Sequence, residues 1–347
     1  MPDFNRDPRE KLSLDEIEAR ELAEKKEKKK FNLFAGAFRD GKGVDKDELA
    51  IADNPTFVNF FRLCWRKLNQ LLSVNLLTIC GNFPIFFFFF AMSGYMSIHT
   101  VSPNYAVYAP LRGAMLFHNS PAVSALWTIY SRTSPVTVHT TGDYVFMGLA
   151  FLLFFTFGPV RAGVTYILRN MFRGKPVFLL QDFFDTIKRN FRQALILGIL
   201  DLALLGLIIY DIVFFWLNYS ASAMMTAMFF MSLWMLVLYF LMRPYLWLML
   251  VTFDMSVWKM VKNSLRFVAA GLKRNVMVLL GTLFTAAFEY ALLIVYFPLG
   301  VIFPFVILPA FLMMMGVYGA FPKIKQYMID PYYEEVGKTG RRAEDAE

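Results

Sequence analysis

Residues 71–92 read LLSVNLLTICGNFPIFFFFFAM, from Leu71 to Met92, without one charged side chain and with five consecutive phenylalanines, Phe86 to Phe90. A helix crosses the hydrocarbon of a bilayer in about 20 residues, and in this stretch no polar face is available for water. It is therefore read as a membrane span. Moving outward, five more windows of the same kind follow: Tyr144 to Val160, Ala194 to Leu217, Ala221 to Met242 with an extension past Arg243 and Pro244 toward Asp254, Val276 to Phe297, and Val301 to Phe321. Pro298-Leu299-Gly300 predicts a tight turn that folds the last two into an antiparallel hairpin. The expected fold class is an all-α membrane protein, six transmembrane helices in three hairpins.

Composition points the same way. Of 347 residues 57% are hydrophobic, 17% aromatic and only 18% charged, so one compact core in water cannot hide the apolar side chains. The 35 Lys and Arg are distributed unevenly along the chain. Fifteen precede Leu71, 7 fall between Arg161 and Arg192, 6 between Arg243 and Arg274, and 5 in the C-terminal tail, against Arg112 and Arg132 alone on the opposite side. Positively charged loops are retained inside, so both termini are expected in the cytoplasm. The net charge of +8 then reflects topology, with no nucleic-acid partner implied. The first 56 residues are polar and lack the apolar core of a cleavable signal. The expected organisation is a charged cytoplasmic segment at 1–56, a six-span domain at 57–325 with a long extracytoplasmic loop at 98–142, and a cytoplasmic tail at 326–347. Cys64 on the cytoplasmic side and Cys80 within a span form no disulfide framework.

Before spans one, three and five the chain is amphipathic at helical spacing in a common register. Phe57, Phe61, Cys64 and Leu68 line the first stripe, Leu180, Phe184, Ile187 and Phe191 the second, and Val261, Leu265, Val268 and Leu272 the third. The opposite faces are basic: Arg62, Arg66 and Lys67; Lys188, Arg189 and Arg192; Lys262, Arg266 and Lys273. Such helices either lie in the interface with cations toward anionic lipid or pack under the bundle, and each is expected to bend into the span that follows. Thr56, Asp182 and Asp254 or Ser256 are the expected N-caps. In the N-terminal tail, Ser13-Leu14-Asp15-Glu16 reads as a capping box opening a short solvated helix, with a lysine cluster from Lys25 to Lys30. His99, His118 and His139 in the outer loop have no ligand spacing that forms a metal site, and no cofactor is expected.

Charges at membrane depth mark function or structural pairs. Asp201 and Arg243 are expected at one depth and to pair, whereas Asp211 and Glu289, both nearer the outer face, are expected either to line a polar pocket between hairpins or to reach headgroup water. No GxSxG, HExxH, P-loop or helix-opening GxGxxG motif occurs, so no enzyme activity is expected.

Several segments resemble the YesL-like family, also called DUF624. They are Gly158-Pro159-Val160-Arg161-Ala162-Gly163, continuing through Tyr166-Ile167-Leu168-Arg169-Asn170 and Arg173-Gly174 to Asp182-Phe183-Phe184, with Asn75-Leu76-Leu77 to Pro84, Val251-Thr252-Phe253-Asp254 and Lys262-Asn263-Ser264-Leu265. The resemblance covers roughly residues 57–335. It implies a bacterial multi-pass membrane protein, often associated with carbohydrate-uptake ABC transport systems. Two functions are therefore weighed: an accessory or scaffold component of a transport complex, which the resemblance implies, or a permease component in which the intramembrane Asp201, Glu289 and Arg243 form a polar midplane site. Sugar permeases carry a coupling loop with a Glu-Ala-Ala run, for which Val268-Ala269-Ala270-Gly271 is a poor substitute.

Overall fold

A computed structural model describes residues 55–103 and 133–333. The N-terminal capping box, the lysine cluster, His118 and the tail beyond Tyr333 lie outside the described residues. Among the described residues, four helices are long and apolar enough to cross a membrane, Thr141–Phe172, Leu179–Leu217, Ala223–Thr252 and Leu272–Val295. Two bent pairs raise the number to six if each is one span: Leu68–Gly81 with Pro84–Met92, bent by 65°, and Phe297–Val306 with Leu308–Tyr333, bent by 54°. In chain order the helices are α1 Phe57–Arg66, α2 Leu68–Gly81, α3 Pro84–Met92, α4 Thr141–Ala150, α5 Leu153–Phe172, α6 Leu179–Leu217, α7 Ala223–Thr252, α8 Val257–Ala270, α9 Leu272–Val295, α10 Phe297–Val306 and α11 Leu308–Ile324. The outer loop is flanked by a two-stranded antiparallel ribbon, β1 Ile98–Pro103 against β2 Thr133–Val138, with Ile98 opposite Val138. The all-α reading lacks this ribbon.

Four sequence expectations need correction. The stretch 71–92 is not one straight helix, because Pro84 has no N–H to continue the ladder of α2 and instead opens α3. The Pro298-Leu299-Gly300 turn is absent, since the chain breaks earlier, at Tyr296 (φ −144°, ψ 79°), and Pro298 lies in the first turn of α10. Gly300 is needed there for another reason: a Cβ would lie 2.7 Å from the Leu293 backbone, so α10 folds directly onto α9. The second amphipathic segment does not bend into its span. No Gly or Pro interrupts Lys188 to Leu197, so both run as one helix of 39 residues, about 58 Å long. The first and third segments do break, at Lys67 and Gly271. Finally, Asp182 is not an N-cap. Phe178 holds that position, and the Asp182 carboxylate reaches back to accept its N–H at 2.9 Å. At the other two entries Thr56 accepts the Asn59 N–H at 3.3 Å, and Ser256 sits at the cap position.

Burial divides each amphipathic segment into three faces. The packed residue lies one position before each predicted stripe position: Phe60 and Leu63, then Leu179, Phe183 and Thr186, then Met260, Ser264 and Phe267. Each of the three rings packs on a different span. Phe60 meets Phe311 and Tyr318 of α11, Phe183 covers Gly163 of α5, and Phe267 stacks on Tyr245 of α7 at 5.4 Å. The predicted stripes turn about 100° away from this contact, and Phe57, Phe61, Phe184, Phe191, Leu265 and Leu272 are exposed. Cys64 and Val268 are exceptions, buried at the edge of the packed face. The cations occupy a third face and are exposed, except Lys67, which is half-buried. Tyr318 donates to the Thr56 carbonyl at 2.6 Å and Arg274 reaches the Pro55 carbonyl at 3.5 Å, which fixes α1 to the end of the bundle formed by α9 and α11.

The core sits at this basic end. Tyr245, Trp247, Leu248, Met249 and Leu250 of α7 are fully buried, with Ile167, Leu168 and Met171 of α5 and Met314 of α11. Burial pushes the Cys64 thiol up to about 12, because an apolar site disfavours the thiolate. In a Cys80→Ser background, maleimide labelling of Cys64 is expected to be negligible from about pH 7 to 9 in the folded protein and complete in denaturant. Rapid labelling of folded protein would place α1 off the bundle.

Candidate functional site

The most extensive helix contact among the described residues, between α5 and α6, has two glycines at its centre. A Cβ on Gly158 would collide with the Ala194 carbonyl oxygen and lie 2.8 Å from its carbon, and one on Gly198 would run into the Gly158 Cα. Only hydrogen fits between the backbones. Three residues further along each helix, almost one turn, are Arg161 and Asp201, so this close approach sets their distance. Arg243 comes from α7. Arg161 and Arg243 each lie about 30 Å along their helices from Thr141 and Ala223, and hence at a common depth.

Asp201 is 2% exposed and surrounded by donors. Arg243 Nε lies 2.8 Å from Oδ1, and Arg243 Nη2 donates to Oδ2 at 2.9 Å. The Tyr239 hydroxyl donates to Oδ1 and Trp247 Nε1 to Oδ2 at 3.2 Å. Arg161 Nη1 stands 3.7 Å from Oδ2, an ion pair without a hydrogen bond. Its guanidinium lies over the Trp247 ring at 5.3 Å and over Phe157 at 5.7 Å. The cluster thus holds two guanidiniums for one carboxylate. In low dielectric such a pair persists only when the carboxylate's lone pairs are satisfied, and here Tyr239 and Trp247 complete the set.

Reading the sequence identifies Asp201 and Arg243 but not Arg161, Tyr239 or Trp247. Arg161 counts there among the inner-loop cations because the second span is bounded at Val160. In the structure α5 continues through Pro159 to Phe172. The signal that exposes this is the helical spacing of Val160, Val164, Ile167, Leu168 and Met171, all buried.

Two further polar nodes hold the bundle. Arg169 of α5, 7% exposed, donates to the Val251 carbonyl at 2.7 Å and to Thr252 Oγ1 at 3.1 Å, closing the C-terminal end of α7, where carbonyls lack helix partners. Asn75 of α2 spans the break between α10 and α11: its amide donates to the Phe305 carbonyl at 2.7 Å and its oxygen accepts the Ala310 N–H at 3.0 Å. Non-helical backbone at membrane depth needs such partners, since lipid offers none.

Asp211 and Glu289 do not join the cluster or each other. Helix α6 packs mainly on α5 and α7, while α9 packs mainly on α10 and α11, so the two carboxylates stand on helices with different main neighbours. The shared pocket expected between them is not formed. Asp211 is half-buried. Glu289 is half-buried too, but both its carboxylate oxygens are shielded and take no hydrogen bond from the described residues. At the N-terminal end of α4, His139 Nδ1 lies 3.4 Å from Asp143, whose carboxylate accepts from Ser97 at 2.6 Å. Among the described residues no three His, Cys, Asp or Glu side chains group as metal ligands.

A cleft of about 150 Å³ lies between α6 and α7, beside the cluster, with Asp201 and Tyr239 in its wall. Leu197, Leu204, Ile208, Met235 and Leu238 make the rest of it largely apolar.

Compared with known families, residues 71–212 match the model of DUF624, described as a protein of unknown function. The match includes Gly158, Arg161, Gly198 and Asp201 and ends before Arg243. No curated protein and no solved structure matches the chain.

Proposed function

We propose that this chain, assigned to the DUF624 family through residues 71–212, is a non-catalytic accessory component of the membrane that docks a transport complex. The observation that carries the reading is the state of Asp201. A conducting or substrate-binding carboxylate needs open coordination, whereas this one is enclosed by Arg243, Tyr239 and Trp247 with Arg161 beside it. The cluster supports the bundle before it does chemistry. The basic end is proposed to face the cytoplasm, with both termini there. Its three-faced helices support contact with anionic lipid through the exposed rings and cations. A carbohydrate-uptake ABC system is the proposed partner, a choice that rests on the family resemblance. Crosslinking from the exposed cationic faces in native membranes, followed by identification of the partner, is expected to recover a transporter. Flux of substrate into liposomes containing this chain alone would overturn the reading.

One observation favours a permease instead: Glu289 has two shielded oxygens without partners among the described residues, on a helix packed against the broken span of α10 and α11, a feature of the kind that lines transporter sites. The two readings part on Glu289→Gln. If Glu289 is only an unpaired carboxylate, neutralising it removes an unfavourable buried charge, and folded yield is expected to be unchanged or to rise. Transport by the assembled complex should stay within about twofold of the native level. A collapse of transport with normal folding would support the permease.

A further inference from the structure

We propose that Arg161 and Arg243, together with the cleft between α6 and α7, form a binding site for one anionic phospholipid, its phosphate on the guanidiniums and part of an acyl chain in the cleft. The inference is independent of the scaffold reading.

Charge is the first argument. The cluster carries two cations and one anion, and among the described residues no second carboxylate contacts either arginine. A net positive charge at this depth is costly unless neutralised, and a phosphodiester monoanion supplies the missing charge. Hydrogen bonding is the second. The Arg161 guanidinium makes no hydrogen bond to the described residues, and its Nε is buried without a partner among them. Stacking on Trp247 and Phe157 holds the group in place with its donors unspent, ready to make a planar, bidentate phosphate contact. Access is the third. Arg161 and Arg243 remain 18% and 17% exposed, so the cluster reaches the surface while its carboxylate does not.

The cleft selects the kind of anion. On α7 the lining residues Tyr239, Met242 and Leu246 bracket Arg243, which places it by register at the rim. A volume of about 150 Å³ holds an apolar group of benzene size, enough for a few methylenes of an acyl chain. Leu204 and Met235 in the wall are 38% and 48% exposed, so a chain enters from the lipid side. A free phosphate would gain nothing from these walls and would lose its hydration.

The test uses the full chain in nanodiscs of mixed phosphatidylglycerol and phosphatidylcholine, with native mass spectrometry counting the lipid retained after extraction. The expected result is one retained phosphatidylglycerol, preferred by about tenfold or more over phosphatidylcholine. Arg161→Gln should abolish the preference, and Arg161→Lys should keep part of it. Leu204→Trp, which narrows the cleft one turn from Asp201 and leaves every charged residue in place, should lower retention of lipid with an unchanged unfolding temperature. If Arg161→Gln does not fold, Leu204→Trp decides. Equal retention of the two lipids, retention by Leu204→Trp at the native level, or displacement of the lipid by millimolar inorganic phosphate would each overturn the proposal.

Discussion

Asp201→Asn is expected to cost about 3–5 kcal/mol of stability, the range for breaking a buried ion pair. The substitution keeps the shape and a hydrogen-bond acceptor but removes the only negative charge that faces Arg161 and Arg243 among the described residues. Two guanidiniums then remain at membrane depth without a counter-ion from the chain, and the Tyr239 and Trp247 donors lose an ionised acceptor. Thermal unfolding in detergent and the yield of monodisperse protein should both fall sharply. Removing all the charges together should not. Arg161→Met with Asp201→Leu and Arg243→Met replaces the charges by apolar groups of similar volume and leaves only the neutral Tyr239 and Trp247 donors without their acceptor, so the loss is expected to be smaller than that of Asp201→Asn. Recovery of yield in the triple variant, with loss of the retained lipid, would separate the structural role of the cluster from its binding role. An Asp201→Asn protein as stable as the native one would show that the carboxylate does not hold the bundle.

Gly198→Ala is expected to destabilise by at least the ~1–3 kcal/mol of an overpacked core. Its new methyl would collide with the Gly158 Cα and lie 2.7 Å from the Gly158 N, backbone atoms that cannot rotate away. The helices must separate, and Arg161 then moves off Asp201, so the variant should also reproduce part of the Asp201→Asn loss. The same substitution two turns along the same helix is the control. At Gly206 an added methyl would meet nothing within 4 Å, and Gly206→Ala should be neutral or gain up to about 1 kcal/mol from helix propensity. Equal unfolding temperatures for the two alanine variants would refute the close contact between α5 and α6.

Much of this is legible in the residues. Charge-free runs of span length can be read because lipid imposes a minimum length and forbids unpaired backbone, two constraints that act on composition. Asp201 and Arg243 can be matched because depth along a helix is a count of residues. Legibility fails where a residue's meaning depends on its neighbour in space. The hydropathy window closes at Val160, which lies in the middle of α5. Arg161, four positions from Phe157 and three from Gly158, counts as one more loop cation until α6 is placed against it. The amphipathic stripes fall at the right segments but one residue out of phase with the packed face, since two apolar faces lie side by side on each helix and periodicity alone cannot assign one to protein and the other to lipid.

The chain alone determined that its solvent is largely hydrocarbon, where its apolar helices run, and that its cations collect at their ends, because these depend on composition and one-dimensional spacing. Only the tertiary structure decided that two arginines share one carboxylate, that Asn75 completes a broken helix 230 residues away, and that Glu289 has no partner among the described residues. Those depend on which helix faces touch, and contact between faces is fixed by side-chain volume at the crossings, down to the absence of a single Cβ at Gly158 and Gly198.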